Sequence, residues 1–168
     1  MKKMFFLALF GLCSMLSYSQ IVVDKVVKFE NKNSKLFMAV KNSSKEAGAE
    51  IVQVSNDKNE SKHWIIKTQH EAKSNKDIYI IENENSKLFL SIYGSEVNGA
   101  YPIGLEPKDS HHYWVIIPVG KEYVKIKNNN TKLFLGVKDG SKSEDAKIME
   151  WKDQGQDDIL WKIVEVKK

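Results

Sequence analysis

One eight-residue pattern, Asn-x-Asn-[Ser/Thr]-Lys-Leu-Phe-[Leu/Met], is written three times in this 168-residue chain. The copies occupy residues 31–38, 83–90 and 128–135, so their starts are 52 and 45 residues apart. A tryptophan follows each copy at a similar interval, and these residues are Trp64, Trp114 and Trp161. A pattern that recurs about every 50 residues is typical of a fold built from repeated units. Any fold assigned to the chain must account for this repetition.

Each unit contains four short apolar pieces of β-competent sequence, separated by polar turns. The pieces are 26–29, 36–40, 51–54 and 63–66 in the first unit, 78–81, 88–93, 101–105 and 113–117 in the second, and 123–126, 133–137, 147–151 and 160–166 in the third. Asparagine and serine favour the intervening turns because their side chains bond to nearby backbone groups. No stretch keeps helical apolar spacing over three turns. We therefore expect twelve short strands and little helix.

The three units should share one core, because a single unit of four short strands cannot bury its own apolar face. A closed three-fold arrangement also hides most strand edges, which limits association between sheets. We therefore predict an all-β fold, a β-trefoil of three four-stranded repeats with pseudo-three-fold symmetry. Six strands would form a barrel, and six would form hairpins that cap one end. The predicted single domain covers residues 20–168, with repeats at about 26–67, 77–118 and 122–166.

Residues 1–19 have the character of a secretory signal peptide. Lys2 and Lys3 precede an apolar run at residues 4–16, and Ser17 and Ser19 place small residues before a cut at Gln20. The run is too short to span a membrane, and no later stretch reaches the roughly 18 apolar residues that a span needs. We expect an exported protein, periplasmic or extracellular after cleavage, with no transmembrane segment. The one cysteine would leave with the signal, so no disulfide is expected.

The charges give no argument for a nucleic-acid partner. The net charge is +4, and lysines alternate with carboxylates without forming a basic block. A mixed, solvated surface explains this distribution.

The repeats also carry a family resemblance. The first unit has Asn31 and Ser34, then Met38-Ala39-Val40, then Gly48-Ala49-Glu50-Ile51, then Trp64, and similar elements recur in the other two units. This pattern resembles the ricin-B-type β-trefoil lectins, whose repeat runs approximately N-x-x-S-G-K-x-L-D-V, G-A-x-V-Q-x-W and Q-x-W. The resemblance covers essentially the whole of residues 20–168, and it implies a carbohydrate-binding module.

The chain departs from the family at the positions that bind sugar. The Asp of the L-D-V segment, which accepts hydrogen bonds from sugar hydroxyls, is Ala39, Ser91 and Gly136 here. The Gln of Q-x-W becomes Lys62, His112 and Ile159. The aromatic residue that stacks on the sugar aligns with Val54, Leu105 and Trp151. The resemblance therefore implies weakened sugar pockets, with the best candidate in the third repeat.

We predict a ligand site formed by Trp151, Glu150, Gln154 and Asp158. Sugar recognition needs an aromatic face for the C–H side of the ring and polar groups for its hydroxyls, and these residues supply both. The competing interpretation is that Trp151 packs on the barrel rim and the acidic loop after it is simply solvated. By contrast, the three tryptophans that recur in step with the repeats are expected to be core residues.

Catalysis, metals and cofactors receive little support from the sequence. The chain has no G-x-S-x-G segment and no glycine-rich phosphate loop, and its carboxylate pairs do not define a hydrolytic site. His111 and His112 are adjacent, so in a strand they would point to opposite faces. We therefore predict a non-catalytic module without metal or cofactor that binds a glycan or polysaccharide weakly. The alternative is a protein-binding or inhibitory trefoil with a protein partner, favoured by the missing aspartates.

Overall fold

The computed structural model describes residues 21–55, 59–69, 77–92, 100–103 and 110–167. These residues contain twelve strands, which confirms the predicted number. They are β1 (Val26–Asn31), β2 (Phe37–Val40), β3 (Ile51–Val54), β4 (Trp64–Gln69), β5 (Ile78–Asn83), β6 (Phe89–Ile92), β7 (Ala100–Ile103), β8 (Trp114–Val119), β9 (Tyr123–Asn128), β10 (Phe134–Val137), β11 (Ile148–Trp151) and β12 (Trp161–Glu165). The helical segments in the described part of the chain are single 3-10 turns of three residues each, so helix content is low as expected.

Six of the strands close into a barrel. In the order β1, β4, β5, β8, β9 and β12, each pairs antiparallel with the next, and β12 pairs back to β1. The remaining strands form the hairpins β2–β3, β6–β7 and β10–β11. Each hairpin joins its barrel strand through one cross-strand pair at its phenylalanine: Phe37, Phe89 or Phe134. This is a β-trefoil, as predicted.

The strands of the barrel send alternate side chains into one shared core. In β9, Val124 and Ile126 are buried and Lys125 and Lys127 lie on the outer side, as the two-residue period of a strand requires. The core is continuous across the three repeats and includes the tryptophans of all three. It therefore supplies the apolar burial that no repeat can achieve alone.

The three recurring tryptophans are core residues, as expected. All three are completely buried. Each indole N–H donates to a backbone carbonyl of the hairpin strand in its own repeat, at 2.8–3.0 Å; the acceptors are Met38, Leu90 and Leu135. Because a buried indole N–H needs a partner, these bonds fix the hairpin of each repeat to the barrel.

The first asparagine of each repeated motif links neighbouring repeats. Asn31, Asn83 and Asn128 are completely buried. The side-chain oxygen of each accepts backbone N–H groups of its own turn, as in the bonds from Asn130 and Thr131 to Asn128 at 2.8 and 3.1 Å. The side-chain amide donates to a carbonyl of the repeat before it, and the acceptors are those of Asp158, Ser61 and His111 respectively. The repeated asparagine is therefore a structural residue that closes the ring of repeats.

Candidate functional site

The hairpin β10–β11 places Trp151 at its open end. Trp151 is the last residue of β11 and lies opposite Phe134, the first residue of β10. Val54 lies opposite Phe37 in the first repeat. In the second repeat, the residue opposite Phe89 is Ile103.

The sequence alignment of Leu105 with Trp151 was therefore wrong by two residues. The reason is the length of the hairpin connection. Ten residues separate the paired strands in the first and third repeats, but only residues 93–99 separate β6 from β7. Ala100 thus begins β7, whereas Gly48 and Ala49 precede β3. Residues 93–99 and 104–109 lie outside the described part of the chain.

A shallow pocket of about 330 Å³ opens beside Trp151. Its lining residues are Leu133, Glu150, Trp151, Lys152, Gln154 and Gln156. Three of the four predicted ligand-binding residues, Glu150, Trp151 and Gln154, therefore come together. Asp158, the fourth, does not line this pocket. Sequence reasoning missed Leu133, Lys152 and Gln156.

One edge of the Trp151 ring packs against the backbone of Gly136. A Cβ atom at Gly136 would lie 3.0 Å from Cδ1 of Trp151, 2.7 Å from Cγ2 of Ile159 and 3.2 Å from the carbonyl oxygen of Asp158. The third repeat thus has no room for a side chain where the resembling lectins carry their aspartate. Trp151 is half-buried, so it packs on the hairpin and also lines the pocket.

Glu150 is the most buried carboxyl group of the site, at 1% exposure. Its Oε1 accepts a hydrogen bond from the Thr131 hydroxyl at 2.7 Å, while its Oε2 has no hydrogen-bond partner among the described residues. Burial raises the pKa of Glu150 above its ordinary value, against smaller opposing effects of the Thr131 hydrogen bond and the His111 charge. The cause is desolvation, which disfavours the charged form.

The first repeat places an amide at the corresponding position. Gln53 lies opposite Met38, as Glu150 lies opposite Leu135. The Ser34 hydroxyl donates to Oε1 of Gln53 at 2.7 Å, which is the same bond that Thr131 makes to Glu150. Gln53 also uses its Nε2, which donates to two backbone carbonyls at 2.8 and 3.0 Å. The corresponding atom of Glu150 is Oε2, which can donate a hydrogen bond only when the carboxyl group is protonated.

Replacing Glu150 with glutamine should stabilise the protein at neutral pH. Folding raises the pKa of this carboxyl group. The contribution of Glu150 to the free energy of unfolding is therefore fully present below the ordinary pKa of 4.5, and it is lost as the pH rises through the higher pKa of the folded state. We expect Glu150→Gln to raise the free energy of unfolding by about 1–2 kcal/mol near pH 7, the cost of an unpaired buried polar group. The two proteins should converge at about pH 4. Urea unfolding at both pH values measures the difference.

The matched control is the reverse exchange in the first repeat. Gln53→Glu places a carboxylate against the carbonyl oxygens of Ser141 and Ser143, so it should destabilise at neutral pH. A Glu150→Gln variant that is less stable than the parent near pH 7 would contradict this account of Glu150.

The backbone of Asp158 makes structural contacts. Its backbone carbonyl accepts the side-chain amide of Asn31 at 2.7 Å and also approaches Gly136. Its side chain is buried, and burial, followed by the nearby charge of Asp157, raises its pKa. Its assignment as a ligand-binding residue stays a prediction.

The loop after Trp151 is held by its own hydrogen bonds. Gln156 accepts the backbone N–H of Gln154 at 2.7 Å and donates to the carbonyl of Lys152 at 2.9 Å. Asp153 forms an ion pair with Lys125 on β9 at 2.5 Å. Because the loop is ordered by these bonds, its side chains are positioned before a ligand arrives.

The described residues contain no group of three or more His, Cys, Asp or Glu residues able to hold a metal ion. Within the same part of the chain, no helix has the length and apolar character needed to cross a membrane.

Lys62, at the Q-x-W position of the first repeat, is buried, and the corresponding Ile159 of the third repeat is buried as well.

The barrel, the three capping hairpins and the inter-repeat hydrogen bonds place this protein among the β-trefoils. A family profile described as "Ricin-type beta-trefoil lectin domain-like" matches residues 20–104 and 110–168. The chain therefore belongs to the ricin-type β-trefoil lectin-like family. No curated protein sequence matches the chain significantly.

Solved structures show the same fold at low sequence identity. The designed three-fold symmetric protein ThreeFoil is 18% identical, with a TM-score of 0.74 over 84% of this chain and 99% of its own. The Macrolepiota procera ricin B-like lectin in complex with lactose is 13% identical, with a TM-score of 0.71 over 88% of this chain and 100% of its own. An exo-β-1,3-galactanase from Clostridium thermocellum is 23% identical, with a TM-score of 0.77 over 88% of this chain but only 31% of its own.

Proposed function

We propose that this protein is a non-catalytic carbohydrate-binding module whose ligand binds beside Trp151. The observation that carries the proposal is the pocket itself, where a half-buried indole lies beside the polar residues Lys152, Gln154 and Gln156 on one concave surface, above the buried Glu150. An aromatic face packs against the C–H side of a sugar ring, and amide, carboxyl and ammonium groups bond to its hydroxyls. The residues we assign to binding are Trp151, Glu150 and Gln154, with Asp158 as a further candidate.

The family relationship supports a glycan ligand. The Macrolepiota procera lectin is similar in fold over its full length and is described in complex with lactose. The galactanase is an enzyme, but this chain spans less than a third of it. Fold similarity alone does not transfer an activity, so the proposal depends on the pocket.

Binding should be weak. The aspartate that anchors sugar hydroxyls in the resembling lectins is replaced by Gly136, and packing leaves no room for a side chain there. A single shallow pocket with an aromatic contact and few polar groups is consistent with a dissociation constant of about 1 mM, which corresponds to about 4 kcal/mol. The proposed site of action is the periplasm or the cell exterior, reached through the signal peptide predicted at residues 1–19.

The proposal is tested by screening residues 20–168 against an array of glycans, alongside a Trp151→Ala variant. We expect the variant to bind at least about tenfold more weakly, because one aromatic stacking contact contributes roughly 1.5 kcal/mol. Val54→Ala is the matched control, since Val54 holds the same hairpin position in the first repeat. Its binding should match that of the parent.

Other outcomes would change the assignment. Binding that survives in Trp151→Ala would move the site to another part of the trefoil. An absence of binding to every glycan would reject the proposed function and favour the alternative, a protein-binding or inhibitory trefoil. The filled space at Gly136 is the observation that favours this alternative. Co-purification of a defined partner from the native envelope fraction would test it.

A further inference from the structure

We propose that the ligand is an acidic polysaccharide, bearing carboxylate or sulfate groups, that extends from the Trp151 pocket across the neighbouring turn of the third repeat. This inference rests on the proposed function and specifies its ligand class. Three lysines, Lys127, Lys132 and Lys152, carry it, and we refer to them as the lysine track.

A second pocket adjoins the same repeated turn. It has a volume of about 310 Å³ and is lined by Val115, Ile117, Lys127, Asn128, Asn129 and Lys132. Lys132 lines this pocket and the next residue, Leu133, lines the Trp151 pocket. The two concave surfaces are therefore separated by one peptide unit of the turn. A polymer lying across that turn could occupy both.

An aromatic residue lies near both pockets. Phe134 pairs with Trp151 across the hairpin β10–β11, and it pairs with Lys127 on the barrel strand β9. The ammonium groups of Lys125 and Lys127 are 5.8 and 5.4 Å from the centre of its ring. These contacts bring Lys127 to the same side of the turn as the hairpin end that carries Trp151.

The lysine track has positive charge that the described residues do not neutralise. The ion pairs of the described residues include none made by Lys127, Lys132 or Lys152. Lys132 and Lys152 are exposed, and Lys132 bonds to Asn129 rather than to a carboxylate. Lys125 differs, because Asp153 pairs with it.

The nearby carboxyl groups do not offset this charge. Asp153 is already paired, and Glu150 lies buried at the pocket floor. Elsewhere on the surface, lysines such as Lys32, Lys41 and Lys67 each have a carboxylate partner. Other lysines without an ion pair among the described residues, such as Lys35, Lys87 and Lys138, line neither pocket, whereas the three lysines of the track do. A ligand that carries anionic groups on sugar rings would complement the ammonium groups and the aromatic face together, whereas a neutral glycan would use only the latter.

The experiment compares the binding of two polymers with the same backbone, dextran sulfate and unsulfated dextran, to residues 20–168 of the protein. We expect dextran sulfate to bind at least about tenfold more tightly at about 50 mM salt and to lose most of that advantage at about 200 mM salt. Polygalacturonate and its methyl ester provide a second pair in which the charge is a carboxylate. Isothermal titration calorimetry measures each affinity.

The matched variants remove equal charge from two places. A triple variant, Lys127→Gln, Lys132→Gln and Lys152→Gln, should weaken binding of the acidic polymers at least about tenfold. The control triple, Lys32→Gln, Lys41→Gln and Lys67→Gln, removes three ion-paired lysines and should change the affinity less than about twofold. Equal losses in both triples would overturn the inference in favour of a net-charge effect.

The remaining outcomes separate this inference from the proposed function. Neutral glycans that bind beside Trp151 with the affinity of the acidic polymers would overturn the inference and leave the proposed function standing. No binding of either kind would reject both. A single-stranded oligonucleotide that binds as tightly as the acidic polysaccharides would also overturn the inference, because the surface would then recognise polyanions without regard to sugar.

Discussion

Replacing Asn128 with alanine is expected to lower the free energy of unfolding by about 3 kcal/mol. The side chain is completely buried and makes three hydrogen bonds, to the backbone N–H groups of Asn130 and Thr131 and to the carbonyl of His111. Alanine leaves all three backbone groups without their partner. Part of the loss is recovered where water can reach the turn. Urea unfolding at constant pH measures the change.

The matched control is the next residue in the same turn. Asn129 is half-buried, and the one polar contact of its side chain within the described part of the chain is a 3.5 Å contact with Lys132. Asn129→Ala should therefore change stability by less than about 0.5 kcal/mol. If the two alanine variants lose equal stability, the asparagine is an ordinary turn residue and does not link the repeats. Asn31→Ala should behave like Asn128→Ala, because Asn31 makes the corresponding bond to Asp158.

Gly136→Ala is expected to cost about 2 kcal/mol, although it adds only one methyl group. The new Cβ would lie 2.7 Å from Cγ2 of Ile159, which is closer than carbon atoms approach without displacement. It would also lie 3.0 Å from Cδ1 of Trp151. The indole must then shift, so this variant should also weaken ligand binding. Thermal unfolding measures the first effect and glycan titration the second.

A double-mutant cycle identifies the cause of that cost. Ile159→Ala removes the Cγ2 atom, so Gly136→Ala should be tolerated better in that background. We expect a coupling energy of at least about 1 kcal/mol between the two sites. Additive losses would show that Ile159 does not limit the space at position 136. The same geometry predicts that Gly136→Asp alone does not restore the sugar contact of the resembling lectins.

The fold could be predicted because the information is repeated. Trp64, Trp114 and Trp161 recur in step with the motif, and a residue that recurs at one position of a closed three-fold fold occupies equivalent environments. The structure confirms this, since all three are buried with equivalent hydrogen bonds. The inter-repeat bond of Asn128 was not predicted. Turn chemistry alone explained the asparagine, and the partner carbonyl of His111 lies in another repeat.

The site could be predicted only in part. Trp151 is recognisable because it is the aromatic residue that the third repeat alone retains, and Glu150 and Gln154 are close to it in sequence. Leu133 and Gln156 contribute through the folded hairpin and the loop hydrogen bonds, neither of which leaves a sequence pattern. The predicted role of Asp158 depended on its polar side chain and its position in the loop after Trp151. Asp158 is buried and is not among the residues that line the pocket, so its assignment stays a prediction.

The charge of the site shows a second limit of sequence reasoning. Glu150 reads as an anionic group, but the two-residue period of β11 turns it inward, and burial raises its pKa. Lys152 and Lys132 are ordinary surface lysines in sequence. They stay without a carboxylate partner because Asp153 and Asp157 form ion pairs with other lysines. Those ion pairs depend on the tertiary structure.

The most direct test of the proposed site uses the indole N–H signals in a proton–nitrogen correlation spectrum. The protein has four tryptophans, so four such signals are expected. Those of Trp64, Trp114 and Trp161 belong to buried, hydrogen-bonded indoles and serve as internal controls. Titration with the best glycan should shift the Trp151 signal and leave the other three in place. A bound glycan that leaves the Trp151 signal unmoved would contradict the assignment of the site to the third repeat.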